Sequence, residues 1–249
     1  MCTVSVICSQ DSQDAGLWLV SSRDELHGRM PSLEPRVHRL GERQALFPLD
    51  PEGGGTWVGV NDLGTAVSLL NHYPAYVPEP AHKQSRGDLV VRLLAATDAR
   101  KALAALAGED LSVYGSCKLV MVSAAGVLTT LTWDGQEVVV LQHDVPQVWA
   151  SSSTHHRAAN DHRRSLFFQQ QPQTFETLQV FHRDQSHSNS ALNVFMHSPE
   201  ARTVSVTAVH VAAAGIAMHY LPVIATQAER AKRQLEHLTF QQYQLPAAI

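Results

Sequence analysis

Apolar and polar positions alternate from Thr3 to Cys8 and again from Ala15 to Ser21, with a polar turn between them, which predicts an antiparallel pair of strands. From Arg23 to Gly53 the alternation dissolves among charges and four prolines, which predicts a long loop of the kind that is functional or mobile. Thr56–Val60 and Thr65–Leu70 are apolar runs joined by Asn61-Asp62-Leu63-Gly64, residues suited to a tight reversal, so a hairpin is expected there. A second loop follows over Pro74–Arg86. Leucine, valine and alanine then recur at helical spacing over Asp88–Ala107, in two helices broken at the capping pair Thr97-Asp98. Strands are predicted at Leu119–Ala124, Val127–Trp133 and Glu137–Gln142, turning at Ala125-Gly126 and Asp134-Gly135. Helices at Asp161–Gln170 and Phe175–Arg183, a hairpin of Val204–His210 with Ile216–Leu221, and an amphipathic helix at Gln227–Gln242 complete the chain.

The order is strands, helices, strands, helices, strands. Hairpin-joined strands call for antiparallel sheets, and helices arriving in pairs call for layers outside those sheets. The expected class is therefore α+β, a four-layer αββα sandwich of two antiparallel sheets flanked by helices. At 249 residues one large core suffices, so residues 1–249 are read as a single domain with residues 223–249 as a helical tail. A 44% hydrophobic and 17% charged composition is that of an ordinary globular protein. A net charge of -4 offers no electrostatic reason to expect nucleic acid as partner. No apolar stretch is long enough to span a bilayer. Asp11 and Asp14 interrupt any signal-like segment, so the expected location is cytoplasmic.

Three cysteines, Cys2, Cys8 and Cys117, are too few and too scattered for a disulfide framework or a zinc site. Cys2 is the sharpest chemical feature. Removal of Met1 leaves a residue carrying both a thiol and a free α-amine of pKa about 8, which can serve as the thiol's own base. The bland alternative is a small apolar residue on a first strand, as Cys8 is read. Arg23-Asp24-Glu25 follows the second strand, so hairpin pairing sets it beside Cys2, where Arg23 would lower the thiol pKa and Asp24 would orient the amine. Asn71, ending the second hairpin, is a candidate oxyanion donor or a simple turn asparagine. Gly53-Gly54-Gly55-Thr56-Trp57 leads into a strand and lacks the lysine of a phosphate loop. The 14 histidines, among them His155-His156, His162, His182, His187, His197, His210 and His219, follow no zinc-type spacing, so no metal and no cofactor is expected.

Met1-Cys2-Thr3-Val4-Ser5, Ser22-Arg23-Asp24-Glu25, Gly54-Gly55-Thr56-Trp57-Val58-Gly59, Leu69-Leu70-Asn71, Ser85-Arg86-Gly87, Trp149-Ala150-Ser151-Ser152 and Arg202-Thr203-Val204-Ser205 run in order along most of the chain. Together they resemble the NRDE family, also called the transport and Golgi organisation protein 2 family. The resemblance implies an Ntn-hydrolase-like fold, similar to choloylglycine hydrolases and penicillin V acylases, which cleave non-peptide amides with an N-terminal cysteine. It implies Cys2 as nucleophile, Arg23 and Asp24 beside it and Asn71 at the oxyanion. Trp57, Ser152 and Arg202 are the implied substrate contacts. Two departures stand out: Ser22 replaces the family's leading asparagine, and Ser151-Ser152-Ser153 stands where related hydrolases carry a second oxyanion asparagine. Two functions of different class follow. One is a hydrolase of a non-peptide amide of a small hydrophobic substrate. The other, from the trafficking roles linked to eukaryotic members, is a non-catalytic haem or acyl-lipid binder.

Overall fold

The computed structural model describes residues 2–74, 84–223 and 239–245. Its strands are β1 (Cys2–Ser9), β2 (Gly16–Leu26), β3 (Leu33–Leu40), β4 (Arg43–Leu49), β5 (Val58–Asn61), β6 (Ala66–Asn71), β7 (Cys117–Val122), β8 (Leu128–Trp133), β9 (Val138–His143), β10 (Gln147–Ser151), β11 (Ala201–Ala212), β12 (Gly215–Pro222) and β13 (Gln241–Leu245). The helices are α1 (Gly87–Leu94), α2 (Ala99–Ala107), α3 (His156–Gln170) and α4 (Phe175–His182). Among the described residues, one antiparallel sheet runs β10-β1-β2-β11-β12-β13 and the other β3-β4-β5-β6-β7-β8-β9.

Period-two alternation builds the layers. Val4, Val6, Leu17 and Leu19 of the first sheet meet Val58, Val60, Leu70 and Val120 of the second in the central core. The opposite face of the first sheet, with Ile7, Trp18 and Val20, packs on Phe167, Leu178 and Phe181 of α3 and α4. The outer face of the second, with Phe47, Val67 and Leu119, packs on Leu89, Leu93, Leu103 and Leu106 of α1 and α2. The expected αββα sandwich is thus the observed one. Asp98 caps α2 by accepting from the Lys101 N–H at 3.0 Å, which is the predicted break between the paired helices.

The segment read as a loop from Arg23 to Gly53 differs. β2 continues through Arg23 and Asp24 to Leu26, and β3 and β4 form a hairpin within it. β3 is a sheet-edge strand, exposed at most positions, so its charges and Pro35 mask the alternation that burial on one face would impose. β10 was not expected: it has five residues, of which only Val148, Ala150 and Ser151 are buried. At the tail, Gln241 and Gln242 belong to strand β13, paired with β12, and not to a helix. The rest of the expected tail helix, 227–238, and most of the second loop, 75–83, lie outside the described residues. No helix among the described residues is long and apolar enough to cross a membrane.

Candidate active site

β1 lies between β10 and β2, with Cys2 opposite Ser151 on one side and Arg23 on the other. Arg23 in turn faces Ser205 of β11, and Ser205 faces Pro222 of β12, so five strands contribute one residue each to a row where β1 begins and β10 ends. Since Cys2, Val4 and Val6 share a face, this row looks toward the second sheet. There the sheets part into a cleft of about 1300 Å³. Cys2, Arg23, Asp24, Trp57 and Asn71 all line it, so five of the expected site residues converge from distant parts of the chain.

Ser152 and Arg202 do not line the cleft. Ser152 is buried and its Oγ accepts from the His155 N–H at 3.1 Å, which turns the chain into α3. Arg202 donates from Nη1 to the Val223 carbonyl at 2.8 Å. In the serine triplet it is Ser153 that reaches the cleft. Ser151, directly across from Cys2, has a buried hydroxyl with no hydrogen-bond partner among the described residues.

Arg23 is nearly sealed, 3% exposed, with its guanidinium 4.3 Å above the Trp57 ring. Its Nη2 meets Asp50 Oδ2 at 3.0 Å and Glu25 Oε1 at 3.2 Å. Arg29 Nη2 reaches the same Asp50 oxygen at 2.6 Å. Burial works to raise the Asp50 carboxyl, but the Arg29 hydrogen bond and the Arg23 charge outweigh it and hold it below the usual range. Arg23 is therefore engaged by carboxylates, and the Cys2 thiol stands above its ordinary value. Burial pushes that thiol up, the Asp24 charge adds to the rise, and the Asp24 backbone N–H on the sulfur opposes it.

The Asp24 side chain lies on the helix side of β2 and is fully buried. Its Oδ1 accepts from Thr203 Oγ1 at 2.7 Å and its Oδ2 from Arg163 Nη1 at 3.3 Å. Burial raises its pKa despite the Arg163 charge. Arg163, from α3 and also fully buried, donates further to Thr3 Oγ1 at 2.7 Å and to the Leu192 carbonyl at 3.2 Å. One guanidinium thus holds the residue after Cys2 and the carboxylate beside it. No spacing in the sequence singles out Arg163, since the contact spans 139 residues. On the same face, His182 is fully buried with Nε2 2.7 Å from Ser5 Oγ and Nδ1 2.7 Å from Ser22 Oγ. Burial, helped by the Arg163 charge, lowers it to about 3, so the ring is neutral.

From the second sheet, Asn71 ends β6 and donates from Nδ2 to Tyr73 Oη at 3.1 Å. Tyr73 lines the cleft too, and burial raises its phenol. Its place there was not expected from sequence. His72 and His156 also line the cleft, with ring centroids 6.0 Å apart. Among the described residues no group of three or more His, Cys, Asp or Glu side chains is arranged to hold a metal ion.

A family model described as Transport and Golgi organisation 2 matches residues 1–215. No curated protein sequence matches the chain. The solved structures similar in fold include three hydrolases. Penicillin V acylase from Agrobacterium tumefaciens is 14% identical, with 90% of this chain and 84% of that one covered and a TM-score of 0.54. A variant of conjugated bile acid hydrolase from Clostridium perfringens is 12% identical, with 100% and 98% covered and a TM-score of 0.58. The Caenorhabditis elegans ortholog of N-acylethanolamine-hydrolyzing acid amidase is 12% identical, with 98% and 100% covered and a TM-score of 0.57. These similarities establish the Ntn-hydrolase fold for this chain.

Proposed function

The chain belongs to the Transport and Golgi organisation 2 family, and from that premise we propose that its cleft is the active site of an N-terminal-cysteine hydrolase cleaving a non-peptide amide of a small hydrophobic substrate. The observation that carries the reading is the position of Cys2. It starts an inner strand of its sheet and lines the cleft half-buried, with the Asp24 N–H on its sulfur and Asn71 on the facing sheet. A cysteine serving only as core filler would be sealed, as Cys117 is, with its thiol pushed up to about 12 by burial.

Once Met1 is removed, the α-amine of Cys2 takes the thiol proton and the sulfur attacks the amide carbon. Charge develops on the carbonyl oxygen, where Asn71 Nδ2 donates after exchanging its bond to Tyr73. The C–N bond breaks as the ammonium returns the proton to the leaving amine, which leaves a thioester on Cys2. Water then gives a proton to the α-amine and attacks the thioester carbon; the C–S bond breaks, the acid is released, and the ammonium returns its proton to the Cys2 thiolate. The raised thiol keeps its proton until the amine takes it, so amine and thiol work as a unit.

Mixing N-acyl amides with chain shown by intact mass to lack Met1 tests this. Amine release by the wild type and none by Cys2→Ala is the expected result. Release that survives Cys2→Ala, or none from the processed wild type, overturns it. The alternative, a non-catalytic haem or acyl-lipid binder using the same cleft, draws on His72 and His156 at its wall. A stoichiometric haemin band lost in His156→Ala, without amide turnover, would favour it.

A further inference from the structure

The charges around the cleft nearly all have partners. Asp50 takes Arg23 and Arg29, Glu25 takes Arg23, and Glu52 takes Arg29. Asp24 takes Arg163. Among the described residues that leaves Arg86, which lines the cleft and pairs with no carboxylate. Its Nη1 donates to the Ser116 carbonyl at 3.1 Å, which fixes the guanidinium on the wall while its remaining N–H groups stay available.

Arg86 stands at the start of α1, whose N-terminus has no side-chain cap. The partial positive charge of that helix end therefore adds to the guanidinium. Ser85 and Gly87 line the same corner. So does Ser116, only 5% exposed, whose hydroxyl has no hydrogen-bond partner among the described residues. A buried hydroxyl without a partner is a cost that an incoming acceptor would remove. Asp88, in the same turn of α1, is exposed and accepts from the Tyr114 hydroxyl at 3.1 Å. Cys2, Tyr73 and Arg86 line the same cleft, so the corner and the nucleophile share one chamber.

We propose that this corner, built by Arg86, Ser116 and the start of α1, is a carboxylate subsite, and that the substrates are amides whose amine half carries a free carboxylate: N-acyl amino acids. The planar fork of an arginine suits a carboxylate, which accepts two parallel N–H bonds. The substrate class rests on the hydrolase reading, but the subsite can be tested without turnover.

Calorimetry on Cys2→Ala compares N-octanoylglycine with N-octanoylethanolamine, which has the same chain and a neutral end. The glycine conjugate should bind roughly tenfold tighter or more, the range of hydrogen bonds to a charged group. Adding Arg86→Gln should abolish the preference, and Ser116→Ala should weaken it. Arg86→Lys guards against a folding defect, since it keeps the charge: it should melt normally and retain part of the preference. Equal binding of the two probes, or a preference unchanged in Arg86→Gln, overturns the subsite. If the preference is present but the processed wild type releases no glycine, the subsite stands and the hydrolase reading falls. If amides are cleaved with no preference for the carboxylate, the reverse holds.

Discussion

Replacing Arg163 with methionine keeps much of the side-chain volume and deletes a buried charge that three elements share. Asp24 would keep Thr203 but lose its ion pair, while Thr3 Oγ1 and the Leu192 carbonyl would lose a donor. Both members of the pair are fully buried, so screening by water does not soften the loss. Breaking one side of such a pair costs about 3–5 kcal/mol. At about 2–4 °C per kcal/mol for a domain of this size, the melting temperature should fall by roughly 6–20 °C. The sign with pH follows from Asp24. Its folded pKa is already raised by burial, and losing Arg163 raises it further. The folded state then favours the protonated acid, so stability is fullest below the unfolded carboxyl pKa and is lost as pH rises through the folded one. The deficit of Arg163→Met should therefore grow with pH and shrink on acidification. The assay is urea unfolding of wild type, Arg163→Met, Asp24→Asn and the double variant across pH. The double variant should recover part of the loss, because no uncompensated charge remains. A single-variant deficit under about 1 kcal/mol, below what loss of a buried ionic partner costs, would refute the reasoning. So would a deficit that deepens on acidification.

Asn71→Ala should reduce kcat on a cleaved amide by about 100- to 1000-fold with KM little changed, the effect of losing one oxyanion donor; steady-state kinetics checks it. His182 is neutral in the fold with its pKa lowered to about 3. Its contribution is complete above the unfolded value and declines as pH falls toward 3, by up to about 1.4 kcal/mol per pH unit. Unfolding of wild type against His182→Gln should show this slope in the former and a weaker one in the latter. Gly55→Ala would place a Cβ 2.5 Å from the Gly87 carbonyl carbon, backbone against backbone. It should push α1 away and lower the melting temperature, whereas Gly28→Ala, with nothing within 4 Å, should not.

What could be read from the sequence followed from one-sided burial. β1, β2, the β5–β6 hairpin and β7–β9 announce themselves by alternation and glycine turns, and Asp98 marks the α1–α2 break by its capping chemistry. Reading failed where charge and strand coincide. Arg23 and Asp24 look like loop residues because buried charge is rare, and here the strand tolerates them only because Asp50 and Arg163 pair with them. β3 escapes because an edge strand has little need to alternate. Along the cleft wall, Cys2, Arg23, Asp24, Trp57 and Asn71 were expected from an N-terminal thiol and an ordered family pattern. Tyr73 and Arg163 were not, since a tyrosine after a strand and an arginine on a polar helix carry no local signal. Ser152 and Arg202 sit beside the right residues in sequence but turn their side chains elsewhere.

The central claim is that Cys2, freed of Met1, is the nucleophile of this cleft. Protein purified from its native host and treated with a carbonyl electrophile such as a β-lactone can be resolved by intact mass and peptide mapping. The account predicts loss of Met1 and one acyl adduct, carried by Cys2 and absent from Cys2→Ala. A retained Met1, or an adduct confined to the exposed Cys8, would contradict it.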